Sequence, residues 1–397
     1  MSLNGNWNYP TRVRFGAGRL AEVPDACAAL GVTRPLIVTD PGLAQLPPLS
    51  RLKAVLGQAG MPFALFSALK PNPVGAEVVA GIRCYLEAGC DGVVAIGGGS
   101  ALDVGKAVAL LARQLPFAAG AGEADDLWQY EDVGDNWARV DAALASPVLA
   151  LPTTAGTGSE VGRASVIVDE AEHRKVILFH PLMLPGQVIA DPELTVGLPP
   201  ALTAATGIDA LVHNFEAYCA AGYHPLADGI ALEGMRLVHG FLERAVRDGQ
   251  DIEARAQMLA ASLMGATAFQ KGLGAVHALA HPVGAVFDKH HGLVNAVLLP
   301  YVIRHQQAAI EGKLVHLARV LGLPGGDAAA VLAWVEGLRA ACAIPDTLAE
   351  IGVAEERADE VARMAKADPS DATNPRPWSV DDYRAVYLAA CRGETGG

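Results

Sequence analysis

Residues Gly92-Val93-Val94-Ala95-Ile96-Gly97-Gly98-Gly99-Ser100-Ala101-Leu102-Asp103-Val104-Gly105-Lys106-Ala107 decide the fold. The first five form a short apolar run with no polar alternation, the mark of a strand buried on both faces. Three glycines then leave backbone N–H groups bare, and a helix is expected to begin near Ser100. Ser100 and Asp103 have the spacing of a capping-box variant, so the helix start is expected to be specified twice. A pyrophosphate can rest against free main-chain amides and the positive end of a helix dipole in such a turn. A tight strand-to-helix connection is the plainer reading of the same glycines.

Working outward, Pro35–Thr39, Pro147–Leu151 and Gln187–Ala190 are further buried runs, each followed by a turn residue, with helix-period stretches between them. That alternation predicts βαβ units stacked into a parallel sheet. Residues 7–15 are expected to add an edge strand or hairpin, and residues 118–141, polar and glycine-containing, a long loop. The glycine turn is not the G-x-G-x-x-G of the standard dinucleotide fold, because no acidic residue ends a strand about twenty residues later. Asp40 lies upstream instead, directly after Leu36–Thr39. A carboxylate there accepts hydrogen bonds from an adenosine ribose and repels a 2′-phosphate, which favours NAD over NADP; taken alone, an Asp after a strand is more often a turn or helix-cap residue.

Beyond Leu198-Pro199-Pro200 the strand signals stop, and long Ala- and Leu-rich periodic segments take over, at 225–247, 251–269 and 328–341. The expected architecture is an N-terminal α/β domain with a parallel sheet, residues 1–196, and an all-α C-terminal domain, residues 197–397. A ligand cleft commonly forms where two such domains meet. A chain of 397 residues, 51% apolar and 18% charged, has ample material for two cores. Its net charge of −13, with no basic run, argues against nucleic acid or an anionic membrane surface as a partner. Six scattered cysteines without a C-x-x-C, no signal-peptide pattern and no run of about 18 apolar residues predict a soluble cytoplasmic protein with reduced thiols.

Asp209 and His213 stand four apart on a predicted helix and share one face. His277 and His281 repeat that spacing, and His290-His291 follows ten residues later. Four of the 11 histidines fall in this window. Three imidazoles and a carboxylate suit Fe²⁺ or Zn²⁺ better than Mg²⁺ or Ca²⁺. Spacing alone does not choose between His277 and His281, or between His290 and His291. Pro282 is expected to kink the helix directly after His281.

These residues resemble the iron-containing, or group III, alcohol dehydrogenases over nearly the whole chain. The resemblance rests on Leu36–Asp40, Pro71-Asn72-Pro73, Gly97–Ser100 with Asp103, Pro152–Val161, Gly207–His213, the 277–291 segment and Asn374-Pro375-Arg376. It implies a dehydroquinate synthase-like fold, a dinucleotide-binding α/β domain followed by a helical one. It implies Asp209, His213, His277 and His291 as metal ligands, and His281 as the histidine near nicotinamide and substrate. Asp40, Asn72, Gly97, Gly98, Gly99, Ser100, Thr153, Thr157 and Lys175 match positions that hold the dinucleotide, and Asp103 is counted with them. Gly162 and Ala164 depart from residues usual in the family, so the substrate pocket is expected to differ. Asp209 argues against the metal-independent maleylacetate reductase branch.

The implied activity is hydride transfer between a small primary alcohol or aldehyde and NAD, assisted by Fe²⁺ or Zn²⁺, in a homodimer or larger assembly. His281 is the candidate proton relay, an imidazole being able to accept and return a proton near neutrality. The alternative is a dehydroquinate synthase-like lyase using NAD transiently, which must grip a phosphate with several basic residues; few lie on the metal-binding helices. A non-catalytic nucleotide- or metal-binding protein is the third reading.

Overall fold

A computed structural model describes residues 11–172 and 174–394. Its chain groups into two units. One consists of residues 11–154 and 158–196 and carries every strand. In chain order its elements are β1 (Arg12–Phe15), α1 (Val23–Ala29), β2 (Pro35–Val38), α2 (Pro47–Gln58), β3 (Ala64–Phe66), α3 (Gly75–Glu87), β4 (Gly92–Gly97), α4 (Gly99–Leu111), β5 (Val148–Pro152), β6 (Ala164–Asp169), β7 (Arg174–Phe179) and β8 (Gln187–Ala190). Six strands form one parallel sheet in the order β1-β8-β5-β4-β2-β3, and β6 and β7 form a separate antiparallel pair.

All six residues of β4 are buried, as helices on both sides of a parallel strand require. Ile37, Val94, Ile96, Leu149, Leu151 and Ile189 pack on one face against Val23, Leu49, Leu52 and Leu56 of α1 and α2. On the other face α4 approaches closely at Gly105, where an added Cβ would lie 2.7 Å from that of Ala95. The turn after β4 needs its glycine too: Gly97 has φ +153°, and a Cβ there would lie 2.7 Å from that of Ala101.

The expected strands at 35, 92, 147 and 187 are present, and the edge strand is β1; residues 7–10 of that expectation lie outside the described residues. The short β3 and the β6–β7 pair were not anticipated. The expected loop at 118–141 is instead threaded with 3₁₀ turns at Phe117–Ala119, Ala124–Tyr130 and Asn136–Arg139. It is fastened to β7 by a bridge between Glu131 and Leu178 and by the ion pair Glu131–Arg174. The expected capping box is not formed. Gly98 is the N-cap of α4, while the Ser100 hydroxyl donates to the Pro71 carbonyl and Asp103 turns inward.

The second unit, residues 155–157 and 197–394, is helical: α5 (Pro200–Cys219), α6 (Pro225–Arg247), α7 (Ile252–Ala268), α8 (Ala275–Phe287), α9 (His291–Leu321), α10 (Ala328–Ala341), α11 (Ala358–Ala367) and α12 (Val380–Arg392). The fold class is therefore α/β with a parallel sheet followed by an all-α portion. Asp251 caps α7 by accepting from Ala254 N, and α8 runs through Pro282 to Phe287. Among the described residues no helix is long and apolar enough to cross a membrane. Gly105→Val should cost about 1–3 kcal/mol of stability by forcing α4 off the sheet, read as a lower urea midpoint; an unchanged midpoint would contradict the close approach.

Candidate functional site

The helical unit gathers the histidines. Asp209 and His213 lie one turn apart in the middle of α5, on a face that is buried along with most of that helix. With His277, from the first turn of α8, each offers one ligand atom, and these three atoms all lie within 4.8 Å of one another. His291, the first residue of α9, borders the cluster: its Nε2 is 3.8 Å from Asp209 Oδ1 and its ring centroid 5.2 Å from that of His277. Gly292 lets α9 start this close to α5, since a Cβ there would lie 2.6 Å from the Ala205 carbonyl oxygen. His281 stacks on His291 at 5.3 Å. His290 caps α9 through Nδ1, which accepts from Leu293 N.

The imidazoles are held by their Nδ1 atoms. His213 Nδ1 lies 3.3 Å from the Gly156 carbonyl oxygen, His277 Nδ1 2.7 Å from Glu216 Oε2, and His281 Nδ1 2.8 Å from Asp368 Oδ2. An unprotonated carboxylate and a carbonyl only accept, so Nδ1 carries the proton in each ring and the Nε2 lone pair is left to serve as ligand or base. Burial pulls His213 down to about 4 against the opposing charge of Asp209, so its imidazole is neutral at pH 7. Burial also works on His277, but the hydrogen bond and charge of Glu216 outweigh it and its pKa is raised. Two imidazoles and a buried carboxylate converging without a basic side chain among them make a donor set that fits Zn²⁺ or Fe²⁺.

Three residues of this centre went unnoticed in the sequence. Glu216 accepts from the backbone N–H of Val276 and from the His277 ring, so it caps α8 and orients a candidate ligand at once. Its place three residues after His213, on the same face, is a signal that could have found it. Asn295, four after His291, donates to Asp209. Asp368 lies 87 residues from His281 and has no local signal; burial opposes its ionisation, but the charge and hydrogen bond of His281 hold it below its ordinary value. Asn374 is structural: its Oδ1 accepts from Ala275 N at the start of α8.

The α/β unit gathers most of the residues expected at the dinucleotide. β2 and β4 are neighbours, yet the chain leaves β2 toward β3 and β4 toward β5. That is a topological switch point, where α/β sheets bind ligands at the carboxyl ends of their strands. Asp40 follows β2 and Gly97–Ser100 follow β4. Asp40 Oδ1 accepts from Leu43 N, and Oδ2 would lie 3.6 Å from a Cβ on Gly97. Asn72 sits in the turn whose Pro71 carbonyl accepts from Ser100, and Thr153 N donates to Gly97 O. Lys175 is paired with Val168 in the hairpin. Thr157 belongs to the 155–157 stretch grouped with the helical unit.

Asp103, counted among the expected dinucleotide residues, has partners within its own unit. Its oxygens accept from Ser159 Oγ and from Val166 N, and Lys106 lies 3.1 Å away. The carboxylate is spent inside the unit, bracing α4 against β6. Lys106 also donates to Ser159 Oγ and to the Ala164 carbonyl, which anchors the 158–164 strap. Glu160, in that strap, is 1% exposed, and its Oε1 accepts no hydrogen bond among the described residues. Burial raises it to about 7.

With this geometry in place, comparison with known proteins is decisive. Residues 10–192 match the family model described as iron-containing alcohol dehydrogenase, and residues 203–391 the C-terminal model of the same family. The chain is 39% identical over 387 residues to a 4-hydroxybutyrate dehydrogenase of Cupriavidus necator, covering 95% of this chain and 97% of that one. The chain belongs to the iron-containing alcohol dehydrogenase family. It is also similar to the NAD-dependent methanol dehydrogenase of Bacillus methanolicus, 36% identical over 97% of this chain and 99% of that one. The crystal structure of a 1,3-propanediol oxidoreductase superposes with a TM-score of 0.89 at 34% identity, covering 97% of this chain and 99% of that one.

These iron-type relatives do not favour the lyase alternative. At Gly162 a Cβ would meet only ordinary contacts at 3.5–3.9 Å, so the fold does not require glycine there. For Glu160, a folded pKa of about 7 against an ordinary 4.5 means that stability present at acid pH is lost as pH rises from 4.5 through 7. Glu160→Gln should therefore be more stable than the parent at pH 8, by no more than about 3 kcal/mol, with the two converging near pH 4.5. Denaturant midpoints at the two pH values check this; a variant less stable than the parent at pH 8 would contradict it.

Proposed function

We propose that the protein is an NAD-dependent alcohol dehydrogenase acting on a small primary alcohol and its aldehyde, with Fe²⁺, or Zn²⁺ in its place, held by Asp209, His213, His277 and His291. The observation that carries the reading is the convergence of three buried ligand atoms within 4.8 Å, with both imidazoles fixed through Nδ1. When bound, the divalent cation supplies a Lewis acid that polarises the hydroxyl or carbonyl oxygen, and the dinucleotide supplies the hydride acceptor or donor. The names of the similar proteins, which include 4-hydroxybutyrate, methanol and 1,3-propanediol enzymes, support a small hydroxylated substrate.

The chain's own residues do the rest. The bare amides of Gly97–Gly99 and the start of α4 receive the pyrophosphate, with Ser100, Asn72, Thr153 and Thr157 beside it. Asp40 accepts from the adenosine ribose, and Lys175 attends the nicotinamide-side ribose. His281 takes the hydroxyl proton at Nε2 during oxidation and returns it during reduction, while Asp368 fixes its ring through Nδ1. All six cysteines carry free thiols, as a reducing cytoplasm would keep them. The working form is a homodimer or larger homo-oligomer.

An anaerobic panel of short alcohols with Fe²⁺ or Zn²⁺ added should give net accumulation of NADH; no net NADH with any alcohol would contradict the proposal. His281→Ala should lower kcat by about 10²-fold or more with metal content unchanged. Loss of the metal from that variant would show that His281 is a ligand.

A further inference from the structure

Asn295 sits in the first turns of α9, fully buried, and its amide nitrogen faces the candidate ligands. Nδ2 lies 2.7 Å from Asp209 Oδ1, 3.1 Å from His291 Nε2 and 3.3 Å from His277 Nε2. The carboxylate oxygen only accepts, and His277 Nε2 carries a lone pair because its Nδ1 proton goes to Glu216. The amide's two N–H groups therefore reach two electron pairs that a cation would meet, those of Asp209 Oδ1 and His277 Nε2. Its oxygen accepts no hydrogen bond among the described residues, although it is buried. Leaving a buried acceptor unpaired is costly. The fold tolerates that cost on one side of the amide while keeping the donor side toward Asp209.

We infer that Asn295 is a positioning residue for the metal centre, holding the Asp209 carboxylate next to the Nε2 atoms of His277 and His291, and not itself a ligand. This rests on the proposed metal site. The amide carries partial positive charge where the ion's charge will act, so it preorders the ligands before metal arrives. Once the imidazoles are engaged, its N–H bond to Asp209 remains and steers that carboxylate. Supporting groups of this kind commonly change metal affinity by 10–100-fold.

The test uses the full-length, metal-free protein titrated with Co²⁺ alone, whose visible absorption reports the coordinating atoms, with a competing chelator to give affinity. Wild type should saturate at one equivalent. Asn295→Ala should bind 10–100-fold more weakly and reach the same band positions and intensities at saturation. Asn295→Leu, which restores volume without a donor, is measured in parallel so that a folding failure of the alanine variant does not end the test; it should show the same loss. Affinity within twofold of wild type in a folded variant would overturn the inference, and so would an altered band pattern at saturation, which would make Asn295 a ligand. Wild-type protein that takes up no cobalt would overturn the metal centre itself.

Discussion

The helical unit depends on the burial of a carboxylate. Asp209 is 3% exposed beside a core of aliphatic and aromatic side chains, with Glu216 equally hidden seven residues further along the same helix. Buried charges are tolerated when each is paired and hydrogen-bonded, and are strongly destabilising otherwise. Glu216 meets this requirement through the N-terminus of α8 and the His277 ring. Asp209 meets it only in part, through the Asn295 amide and the neighbouring imidazoles. Under the proposed function, a divalent cation held by Asp209, His213 and His277 would complete the neutralisation.

The helix packing follows from that demand. Gly292 allows α9 to start against α5, and Gly265 allows α7 to pass where a Cβ would lie 2.9 Å from that of His213. Gly274 leaves room for Glu216 and Asn374 at the head of α8, where a Cβ would lie 3.0 Å from Glu216 Oε1 and 2.9 Å from Asn374 Oδ1. In the α/β unit the same device serves another end. Gly97 opens the turn and Gly105 lets α4 lie on the sheet, while the inward Asp103–Ser159–Lys106 network holds the helix and the following strap together.

Much of this was legible in the sequence wherever the signal was local. The continuous apolar run of β4 before its glycines announced a doubly covered strand, and the four-residue spacing of Asp209 with His213 put both on one face. The β6–β7 pair was not legible, because its alternation lies in burial and not in residue type: Ser165, Ile167, Val176 and Leu178 are buried, while the equally apolar Val166, Val168 and Ile177 between them are half-buried. Ser100 and Asp103 misled because tertiary partners, Pro71 and Ser159, outcompete the local cap. The tie from Asp368 to His281 spans 87 residues, and no single-sequence pattern encodes it.

The most direct test of the central claim is crystallographic. Crystals of the purified protein, loaded with Zn²⁺ and measured at the zinc absorption edge, should show one strong anomalous peak about 2.0–2.2 Å from the donor atoms of Asp209, His213 and His277. No peak there, or a peak held by other side chains, would contradict the account.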